Sequence, residues 1–401
     1  MFKSITSVDI TGKTILLRVD LNSNIQDGKP VVAARLIEHS KTISLLSSKK
    51  AKLVILSHQG RKGKPDFISL KNHLPALKKL IGKEILFCDW KENFTEKISS
   101  LRKGEILLME NTRFLDFESE EKTPLEHSKQ KVIASLASVS DAFVLDAFSV
   151  SHRSHATVVG FIPLLPSFTG PVLDSELTNI DRALNSKQKP RTLILGGAKP
   201  ADSIQTMKFF LKENRTDTVL VAGLIGELFV VSLGYKFGKK DEFFESKDFL
   251  SLIPEIKEVY VEFNEKIFFP KDFAFDKNGE RINIPVFDFP CDFISKDIGT
   301  ETIKDFIEQI SKAELIVFNG PPGVFEEQNF SLGTKEIFKA ISENKGFTFL
   351  GGGDTGTALE SLGFSSSDFS FVSLSGKASL SYLSGKKLVA LEALKNSDLM
   401  L

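Results

Sequence analysis

Arginine is scarce in this chain, and its positions indicate a binding site for a small anion. Of the 52 basic residues only ten are arginine, and six of these ten lie within the first 160 residues. Arg61, Arg113 and Arg153 each follow an apolar run that predicts a strand, and Arg35 opens a predicted helix. The guanidinium group is a rigid fork of donors that matches phosphate and carboxylate. Each arginine taken singly is explained as well by an exposed ion pair, but the group favours anion binding.

Further polar residues accompany these arginines. Asp20 and Asn22 follow the first predicted strand, where an acceptor and an amide can orient hydroxyl groups. His58 lies in the segment SHQGR, beside one of the arginines. His152 and His155 have a spacing found in metal sites. No third ligand lies nearby in sequence, which favours anion binding or packing over zinc.

Glycine-rich loops follow three predicted strands of the second half, and they indicate a nucleotide site. Gly196 and Gly197 precede Lys199, an arrangement in which backbone N–H groups and an ammonium can cradle phosphate. The loop GGGDT contains Asp354, a carboxylate suited to Mg²⁺ that nucleotide phosphates also bind. The segment NGPPGVFE ends in Glu326, which can accept hydrogen bonds from ribose hydroxyls. One such loop serves equally well to reverse the chain, but three favour nucleotide binding.

Two other glycine motifs lead to different hypotheses. The triplet Gly12-Lys13-Thr14 resembles the end of a Walker A loop, but it precedes a strand instead of following one, which indicates a plain turn. Residues 351–356 match the G-x-G-x-x-G pattern of dinucleotide-binding proteins. The next predicted strand, 371–374, ends without the acidic residue that would bind a ribose. An NAD-dependent oxidoreductase is therefore an alternative that rests on this motif alone.

Short apolar runs alternate with amphipathic stretches along the whole chain, and this alternation predicts an α/β fold. The runs predicted as strands are residues 14–19, 52–57, 84–88, 105–109, 142–146, 191–195, 218–222, 258–262, 315–318, 348–350 and 371–374. The helices predicted most directly are residues 35–47, 70–81 and 172–184. Continuously apolar strands between helices are typical of parallel sheets covered on both faces. So many strands favour two doubly wound parallel-sheet units, which bind ligands at the carboxyl ends of their strands.

The segment GFIPLLPSFTG, residues 160–170, is interrupted by glycine and proline and predicts the boundary between the two units. We therefore expect an N-terminal domain over residues 1–165 and a C-terminal domain over 166–384. The predicted helix at 172–184 would join them.

Composition and charge exclude several classes of function. The 52 basic and 52 acidic residues balance to a formal net charge of zero, whereas a general nucleic-acid binder needs a basic excess. The N-terminus lacks the apolar core of a signal peptide, and no apolar run is long enough to span a bilayer. Cys88 and Cys291 have no metal-ligand spacing and predict buried free thiols. We expect a cytoplasmic protein with neither nucleic acid nor membrane as partner.

Taken together, these segments resemble the phosphoglycerate kinase family over nearly the whole chain. With Arg35, the segments RVDLN, SHQGR, MENTRF, DAFSVSHRSHAT, GGAK, NGPPGVFE and GGGDT occur in the family's order and approximate spacing, and AGLIGELF is similar to the archaeal branch. The resemblance implies two Rossmann-like domains facing a cleft, with residues 385–401 packed back on the first. It also implies a monomeric kinase of glycolysis and gluconeogenesis. Such an enzyme transfers a phosphoryl group reversibly between 1,3-bisphosphoglycerate and ADP, giving 3-phosphoglycerate and ATP, with Mg²⁺ as cofactor.

The resemblance assigns roles to the matching residues. Those expected to bind the phosphoglycerate are Asp20, Asn22, Arg35, His58, Arg61, Arg113 and Arg153. Those expected to bind the Mg-nucleotide are Gly196, Gly197, Lys199, Asn319, Pro321, Glu326, Gly351, Gly352, Gly353, Asp354 and Thr355. Among them, Arg35 and Lys199 are expected to be catalytic and Asp354 to hold the metal.

This reaction matches the residue types found. Its acceptor is a carboxylate that is already ionised at neutral pH, so no general base is needed, and no catalytic serine, cysteine or His–Asp arrangement is visible. The reaction needs alignment of the reactants and neutralisation of charge on the moving phosphoryl group. Because Arg35 and Lys199 fall in different domains, we expect closure about residues 160–184 to bring them together.

Two positions depart from the family pattern. Ser203 stands where most members carry a second lysine after GGAK, although a serine is familiar there in the archaeal branch. Residues 374–378, LSGKA, replace a loop with three glycines, of which only Gly376 remains. Lys377 either restores the missing charge or points into solvent, and we favour solvent. These departures leave a catalytically weakened phosphoglycerate- and nucleotide-binding homologue as a second alternative.

Overall fold

The computed structural model describes residues 2–397, which form two compact units. The first unit consists of Met1–Thr178 and Lys387–Leu401, and the second of Asn179–Lys386. Of the segment 385–401 that was expected to return to the first domain, residues 398–401 lie outside the described part of the chain.

A six-stranded parallel sheet forms the centre of the first unit. The strands of this unit are β1 (Thr14–Arg18), β2 (Ile25–Gln26), β3 (Lys29–Pro30), β4 (Lys52–Leu56), β5 (Leu86–Cys88), β6 (Ile106–Met109), β7 (Ala142–Leu145) and β8 (Ser167–Thr169). The sheet has the order β5-β6-β4-β1-β7-β8, and β2 and β3 form a separate antiparallel pair. Strands β1, β6 and β7 are buried along their full length, as expected for a sheet covered on both faces.

Helices connect the strands of the first unit. They are α1 (Ala34–Ser48), α2 (Leu74–Ile81), α3 (Phe94–Ser99), α4 (Pro124–Ser128), α5 (Lys131–Ser138) and α6 (Ala156–Val159). Helix α4 begins at a capping box in which Thr123 and Glu126 each bond the other's backbone N–H. Helix α7 (Pro171–Asn185) continues from the first unit into the second, where the sequence predicted a joining helix at 172–184.

The second unit contains a second six-stranded parallel sheet and a small antiparallel one. Its strands are β9 (Arg191–Leu195), β10 (Thr218–Val221), β11 (Ile267–Phe268), β12 (Asp272–Lys277), β13 (Glu280–Pro285), β14 (Ile294–Ile298), β15 (Leu315–Asn319), β16 (Phe347–Gly351) and β17 (Phe371–Val372). The parallel sheet has the order β11-β10-β9-β15-β16-β17, and the small sheet has the order β13-β12-β14. The prediction of an α/β fold with two parallel sheets is confirmed.

Eight helices complete the second unit, and a last helix belongs to the first. The eight are α8 (Pro200–Lys212), α9 (Gly223–Ser232), α10 (Asp241–Ser246), α11 (Ile253–Phe263), α12 (Thr300–Ser311), α13 (Leu332–Glu343), α14 (Thr355–Ser361) and α15 (Gly376–Leu383). Helix α16 (Val389–Lys395) packs against α6, and its Ala390 N–H donates to the Ser151 carbonyl at 3.1 Å.

One predicted strand is wrong. Residues 258–262 form a short apolar run between two glutamates, but they lie inside helix α11. This helix buries Ile256 and Val259, which are three residues apart and so share one helical face, and a proline stands in its first turn. The helical period of the longer segment therefore outweighs the short apolar run at its end.

The short strands β2, β3 and β11 were not predicted, and neither were two parts of the fold that matter more to its organisation. The small sheet β12–β14 was missed, although Asn278 and Gly279 are a typical two-residue hairpin turn between β12 and β13. Strand β8 lies inside the segment 160–170 that predicted the domain boundary, and it pairs with β7 as the edge of the first sheet. The described part of the first unit thus extends beyond residue 165, because three residues of backbone pairing outweigh the glycine and proline breaks around them.

No helix within residues 2–397 combines the length and the apolar character needed to cross a membrane.

Candidate active site

The carboxyl ends of four strands in the first unit carry predicted anion-binding residues. These residues are Asp20 after β1, His58 after β4, Arg113 after β6 and Arg153 after β7. The four strands are neighbours in one parallel sheet, so the four side chains leave it at the same edge. Helix α1 begins at this edge and carries Arg35 in its first turn.

Asp20 is buried and organises the loop between β1 and α1. Its carboxylate accepts hydrogen bonds from the Asn22 backbone N–H, at 3.0 Å, and from the Ser149 hydroxyl. Nε of Arg35 lies 3.4 Å from Oδ2 of Asp20, and Nη1 of Arg35 donates to the Asn22 carbonyl at 3.0 Å. Burial by itself raises the pKa of Asp20, but the charge of Arg35 and the hydrogen bond from Ser149 hold this pKa below its ordinary value. Asp20 is therefore ionised, and its charge fixes Arg35.

Asn22 and Arg113 hold the loop that follows β4. Oδ1 of Asn22 accepts the Gly60 backbone N–H at 2.8 Å, and Nη1 of Arg113 donates to the Gly60 carbonyl. Arg61 comes next in the chain, and its exposed side chain forms no hydrogen bond or ion pair with residues 2–397. The loop thus carries one uncommitted guanidinium, that of Arg61, next to the carbonyl that anchors Arg113.

The arginines of this site repel one another. Burial lowers the pKa of Arg113 to about 10, and the neighbouring Arg153, Arg18 and Arg61 contribute to the shift. Burial, followed by Arg61, also lowers the pKa of Arg153. A fold that holds like charges this close favours an anion that neutralises them. The structure therefore brings together the arginines that the sequence indicated.

His58 is a neutral imidazole in this cluster. Nη2 of Arg18 lies 3.2 Å from Nδ1 of His58, and because a guanidinium only donates, Nδ1 accepts. The ring proton therefore resides on Nε2. Burial, followed by Arg18 and Arg113 against the opposing charge of Asp20, holds the pKa of His58 well below its ordinary value. A neutral donor of this kind can bind a phosphate or carboxylate oxygen without adding charge.

Sequence reasoning missed the residues that anchor Arg18. Nε of Arg18 donates to the Thr157 hydroxyl at 3.1 Å, and that hydroxyl donates to Oε1 of Glu118 at 2.6 Å. Burial raises the pKa of Glu118, although Arg18 opposes this. A strand-ending arginine was a usable signal for Arg18. Glu118 lies in the acidic run FESEE, which has the pattern of a solvated surface, so no sequence signal marked it as buried.

The two histidines with metal-site spacing belong to the anion-binding cluster. Nε2 of His152 accepts from Nε of Arg153 at 3.2 Å, and Nε2 of His155 lies 3.5 Å from Glu121. Burial, followed by Arg153, lowers the pKa of His155 to about 3. Within residues 2–397, no group of three His, Cys, Asp or Glu side chains is arranged to hold a metal ion.

In the second unit the predicted nucleotide loops follow β9, β15 and β16, which are neighbours in the sheet. The N–H of Gly196 donates to the Asn319 carbonyl at 3.0 Å, and the N–H of Gly197 donates to the Pro321 carbonyl at 2.8 Å. These two N–H groups are therefore already bonded within the protein, and the expectation that Gly196 and Gly197 bind the nucleotide stays a prediction. Adjacent parallel strands bring the two loops so close that their backbone groups satisfy one another.

Three charged side chains project from these loops into solvent. They are Lys199 before α8, Glu326 in the loop after β15 and Asp354 before α14. None of the three forms a hydrogen bond or ion pair with the described residues. Each is therefore available to an external ligand without breaking an existing contact.

Asn319 and Thr355 are buried beside these charges. Oδ1 of Asn319 has no hydrogen-bond partner among residues 2–397, so this buried amide oxygen can accept a hydrogen bond from a ligand. The Thr355 hydroxyl donates to the Gly351 carbonyl at 2.5 Å, and the Thr355 N–H donates to the Gly352 carbonyl at 3.3 Å. Thr355 thus shapes the loop through its own contacts, while Asn319 has unused hydrogen-bonding capacity.

Asp354 suits Mg²⁺ that is shared with nucleotide phosphates. Its carboxylate is exposed and uncommitted, and a Cβ built on neighbouring Gly353 meets nothing within 4 Å, so the space beside it is open. Mg²⁺ usually takes one or two protein carboxylates and completes its shell with water and phosphate oxygens. A single carboxylate at this position fits that requirement, whereas an ion held by protein alone would need more ligands.

The two departures from the family pattern have different surroundings. Ser203 is buried in the first turn of α8, whereas Lys377 is exposed and forms no hydrogen bond or ion pair with the described residues. Gly376 faces Gly353 so closely that a Cβ on Gly376 would come within 2.7 Å of the Gly353 Cα. The one glycine that remains of the usual three therefore stands where the loop packing requires it.

Comparison with known proteins gives a consistent result. The family model described as phosphoglycerate kinase matches residues 5–386. The chain is 37% identical to phosphoglycerate kinase from Methanothermobacter thermautotrophicus over 401 residues, covering 99% of this chain and 97% of that protein. It is also 37% identical to phosphoglycerate kinase from Archaeoglobus fulgidus, covering 98% and 96%. Both relatives are archaeal.

Solved structures agree with the sequence comparison. The crystal structure of phosphoglycerate kinase from Pyrococcus horikoshii superposes with a TM-score of 0.91 at 35% identity and covers 99% of both chains. The structure of phosphoglycerate kinase from Coxiella burnetii gives a TM-score of 0.83 at 28% identity and covers 98% of this chain and 99% of that one.

Proposed function

The chain belongs to the phosphoglycerate kinase family, and on that premise we propose how its residues share the family's reaction. The activity is that of a phosphotransferase with a carboxyl group as acceptor, which uses ATP and ADP as substrates in glycolysis and gluconeogenesis. A phosphoryl group passes reversibly between 1,3-bisphosphoglycerate with ADP and 3-phosphoglycerate with ATP. The comparisons support this activity and give no support to an NAD-dependent oxidoreductase.

The first unit would bind the phosphoglycerate. Arg61, Arg113 and Arg153 would receive its phosphate, since they already repel one another and an anion would relieve that repulsion. Asp20 and Asn22 would orient its hydroxyl group from the loop after β1. The observation that supports this assignment best is that arginines from neighbouring strand ends meet at one edge of the sheet, where burial and then neighbouring arginines lower the pKa values of Arg113 and Arg153.

The second unit would bind the nucleotide. Lys199 would approach the phosphates, Glu326 would accept from the ribose hydroxyls and Asn319 would use its unpaired Oδ1 on the same ligand. Asp354 would hold Mg²⁺, which when bound neutralises charge on the nucleotide phosphates. We further propose that Gly351, Gly352 and Gly353 let the backbone approach those phosphates closely.

Charge neutralisation would provide the catalysis. The acceptor carboxylate is ionised without help, so no residue has to remove a proton. Arg35, fixed by Asp20, and Lys199 would stabilise the negative charge on the moving phosphoryl group. Because these two residues belong to different units, we propose that movement about residues 160–184 brings both to the same phosphoryl group.

The same premise extends to setting and partners. We propose a monomeric cytoplasmic enzyme whose partners are its small phosphorylated substrates, with neither nucleic acid nor membrane among them. The zero net charge and the scarcity of cysteine support this setting. Gel filtration over a range of protein concentrations tests the monomer, since a dimer would elute earlier as the concentration rises.

A coupled assay tests the activity. Purified protein with 3-phosphoglycerate, ATP and Mg²⁺ is expected to release ADP steadily, and omission of either 3-phosphoglycerate or Mg²⁺ is expected to stop the release. Binding of both substrates without turnover would instead identify the weakened homologue that Ser203 and Lys377 suggested. Protection from heat unfolding by ADP but not by NAD would exclude the oxidoreductase independently.

A further inference from the structure

The small sheet β12–β14 supports the loop of residues 319–330, which we call the nucleotide loop. The Val324 N–H donates to the Lys296 carbonyl at 2.8 Å, which joins the loop to β14. The Asn329 side chain donates to the Gly279 carbonyl at 2.8 Å, which joins it to the hairpin between β12 and β13. No residue of this sheet was among those expected to bind substrate. The sheet is nevertheless bonded to the loop that carries Glu326.

A buried carboxylate, Asp297 of β14, lies at the centre of this contact. Its Oδ2 accepts from Nη1 of Arg281 at 2.8 Å and from the Gly333 N–H, at the start of α13, at 2.7 Å. A Cβ on Gly323 of the nucleotide loop, or on Gly333, would collide with the same carboxylate. The loop therefore rests directly on Asp297, and only glycine at position 323 permits that approach.

Arg281 extends the same support. Its Nη1 lies 3.3 Å from the carbonyl of Asn329, and its Nη2 donates to the carbonyl of Ile298 at 2.8 Å. One guanidinium thus bonds the Asp297 carboxylate, the backbone of β14 and the far end of the nucleotide loop. Loss of the Asp297 charge would leave this buried cation unbalanced and would free one end of the loop.

Of two consecutive glutamates in the nucleotide loop, one forms an ion pair and the other does not. Both carboxylate oxygens of Glu327 accept from Nζ of Lys296, at 2.6 and 2.9 Å, and Lys296 also donates to Asp276 at 2.8 Å. Glu326 has no such partner and is exposed. Lys296 is itself mostly buried, with 20% of its side chain exposed, so its ion pair is held in place better than a surface pair.

We infer that Asp297, with Lys296 beside it, is a positioning residue for the nucleotide: it sets the nucleotide loop so that Glu326, and not Glu327, faces the ribose hydroxyls. This inference rests on the proposed role of Glu326. Asp297 touches no substrate itself. It acts through the backbone of Gly323, three residues before Glu326, while Lys296 withdraws the competing carboxylate.

Ribose selectivity gives a measurement that a purely structural role would not change. Glu326 can accept from the 2′- and 3′-hydroxyls of ATP, whereas 2′-deoxy-ATP offers it only the 3′-hydroxyl. Because the lost hydrogen bond is one to a charged group, the KM for 2′-deoxy-ATP should exceed that for ATP by about 10- to 150-fold. If Asp297 positions Glu326, the Asp297→Asn variant loses most of this ratio while its KM for 3-phosphoglycerate stays at the wild-type value.

The experiment measures KM for ATP, 2′-deoxy-ATP and 3-phosphoglycerate in four variants of the full chain. Glu326→Ala tests the proposed function itself, and Asp297→Asn and Lys296→Gln test the inference. Lys304→Gln is the control, because Lys304 forms an exposed ion pair with Glu301 at 2.7 Å on α12 and does not contact the nucleotide loop. If Asp297→Asn does not fold, Lys296→Gln tests the same inference, because it removes the ion pair that holds Glu327.

The outcomes are distinguishable. The quantity compared is the KM for 2′-deoxy-ATP divided by the KM for ATP. The inference is supported if this ratio falls in Asp297→Asn and stays at the wild-type value in Lys304→Gln. If Asp297→Asn does not fold, the same fall in Lys296→Gln supports it. If Glu326→Ala abolishes this ratio while Asp297→Asn and Lys296→Gln both keep it, the inference is wrong, but the proposed role of Glu326 is supported. A ratio unchanged in Glu326→Ala refutes the proposed role of Glu326 and the inference with it.

Discussion

In the first unit most charged side chains of the candidate site are held by buried partners, with Arg61 as the exception, whereas in the second unit they extend into solvent. Arg35 is fixed by Asp20, and Arg18 is fixed through Thr157 by Glu118. Lys199 and Asp354 have no such contacts among the described residues. The first site is therefore organised before its ligand arrives. The second has an ordered backbone, but its charges would acquire their positions from the nucleotide and its metal ion.

The difference matches the two proposed ligands. A phosphoglycerate is small and offers few contacts, so a site that binds it needs donors already arranged around it. A Mg-nucleotide is larger and carries several charges of its own, and its ion supplies part of the coordination that would otherwise come from the protein. Holding several buried arginines close together costs free energy. Burial and then the neighbouring arginines lower the pKa values of Arg113 and Arg153 for the same reason.

The largest effect is expected from Arg35→Ala. If the fixed guanidinium neutralises the moving phosphoryl group, its loss lowers kcat by about 1000-fold while the protein stays folded. Steady-state kinetics measure the change, and Arg102→Ala serves as the control, because Arg102 is an exposed arginine of the same unit outside the site. Normal turnover in Arg35→Ala would remove Arg35 from the catalytic set and weaken the contrast between the units.

A smaller effect, confined to the second site, is expected from Asp354→Asn. Loss of the carboxylate weakens binding of Mg²⁺ with ATP, and kcat/KM for Mg-ATP falls by about tenfold to 100-fold. The KM for 3-phosphoglycerate should not change, because that ligand is assigned to the other unit. Glu360→Gln, an exposed acidic position on the same helix, should leave both constants unaltered. An unchanged dependence on Mg²⁺ in Asp354→Asn would place the metal elsewhere.

Buried histidines of the first unit and a buried carboxyl of the second are expected to contribute to stability with opposite dependence on pH. All six histidines lie in the first unit, and burial lowers the pKa of His155 to about 3 and that of His73 to about 4. Between these values and the ordinary pKa of about 6.5, these two groups bind protons in the unfolded chain but not in the folded chain. Their contribution to stability is therefore lost as pH falls from 7 to 4. In the second unit burial raises the pKa of Asp297 to about 6, so this carboxyl takes up a proton first in the folded chain and its contribution to stability rises over pH 6 to 4.

His155→Gln tests this response. The substitution removes one proton-binding difference and should lessen the loss of unfolding free energy on acidification by up to about 1.4 kcal/mol per pH unit between pH 6.5 and 4. Urea unfolding followed through Trp90 provides the measurement, because this single tryptophan lies in the first unit. An acid response identical to that of the wild type would show that His155 is not held neutral by the fold.

The smallest effect is expected from Lys377→Ala. The side chain is exposed and forms no hydrogen bond or ion pair among residues 2–397, so turnover should stay within about twofold of wild type. A large loss of kcat would mean that Lys377 reaches the phosphoryl group and replaces the lysine that Ser203 lacks. That result would make at least one solvent-exposed charge of the second unit as critical as the fixed arginines of the first.

Strand-end chemistry explains how much of the site was predictable. Arg113, Arg153 and Asp20 follow apolar strands, and the parallel order of those strands places them together. Their roles toward substrate stay predictions. Glu118 and Asp297 were not found, because a buried carboxylate has the same local sequence pattern as an exposed one. Their burial depends on Thr157 and Arg281, which are distant in sequence.

By itself the sequence determined the two parallel sheets, the loops that end their strands and the joining helix, because hydrophobic period and turn residues are local properties. Only the tertiary structure decided which polar groups already form hydrogen bonds or ion pairs within the protein and which stay available to a ligand. The N–H groups of Gly196 and Gly197 are used by a neighbouring loop, and Glu327 is paired while Glu326 is not. Such pairings join residues far apart in the chain, and their energy depends on distances that the order of residues does not record.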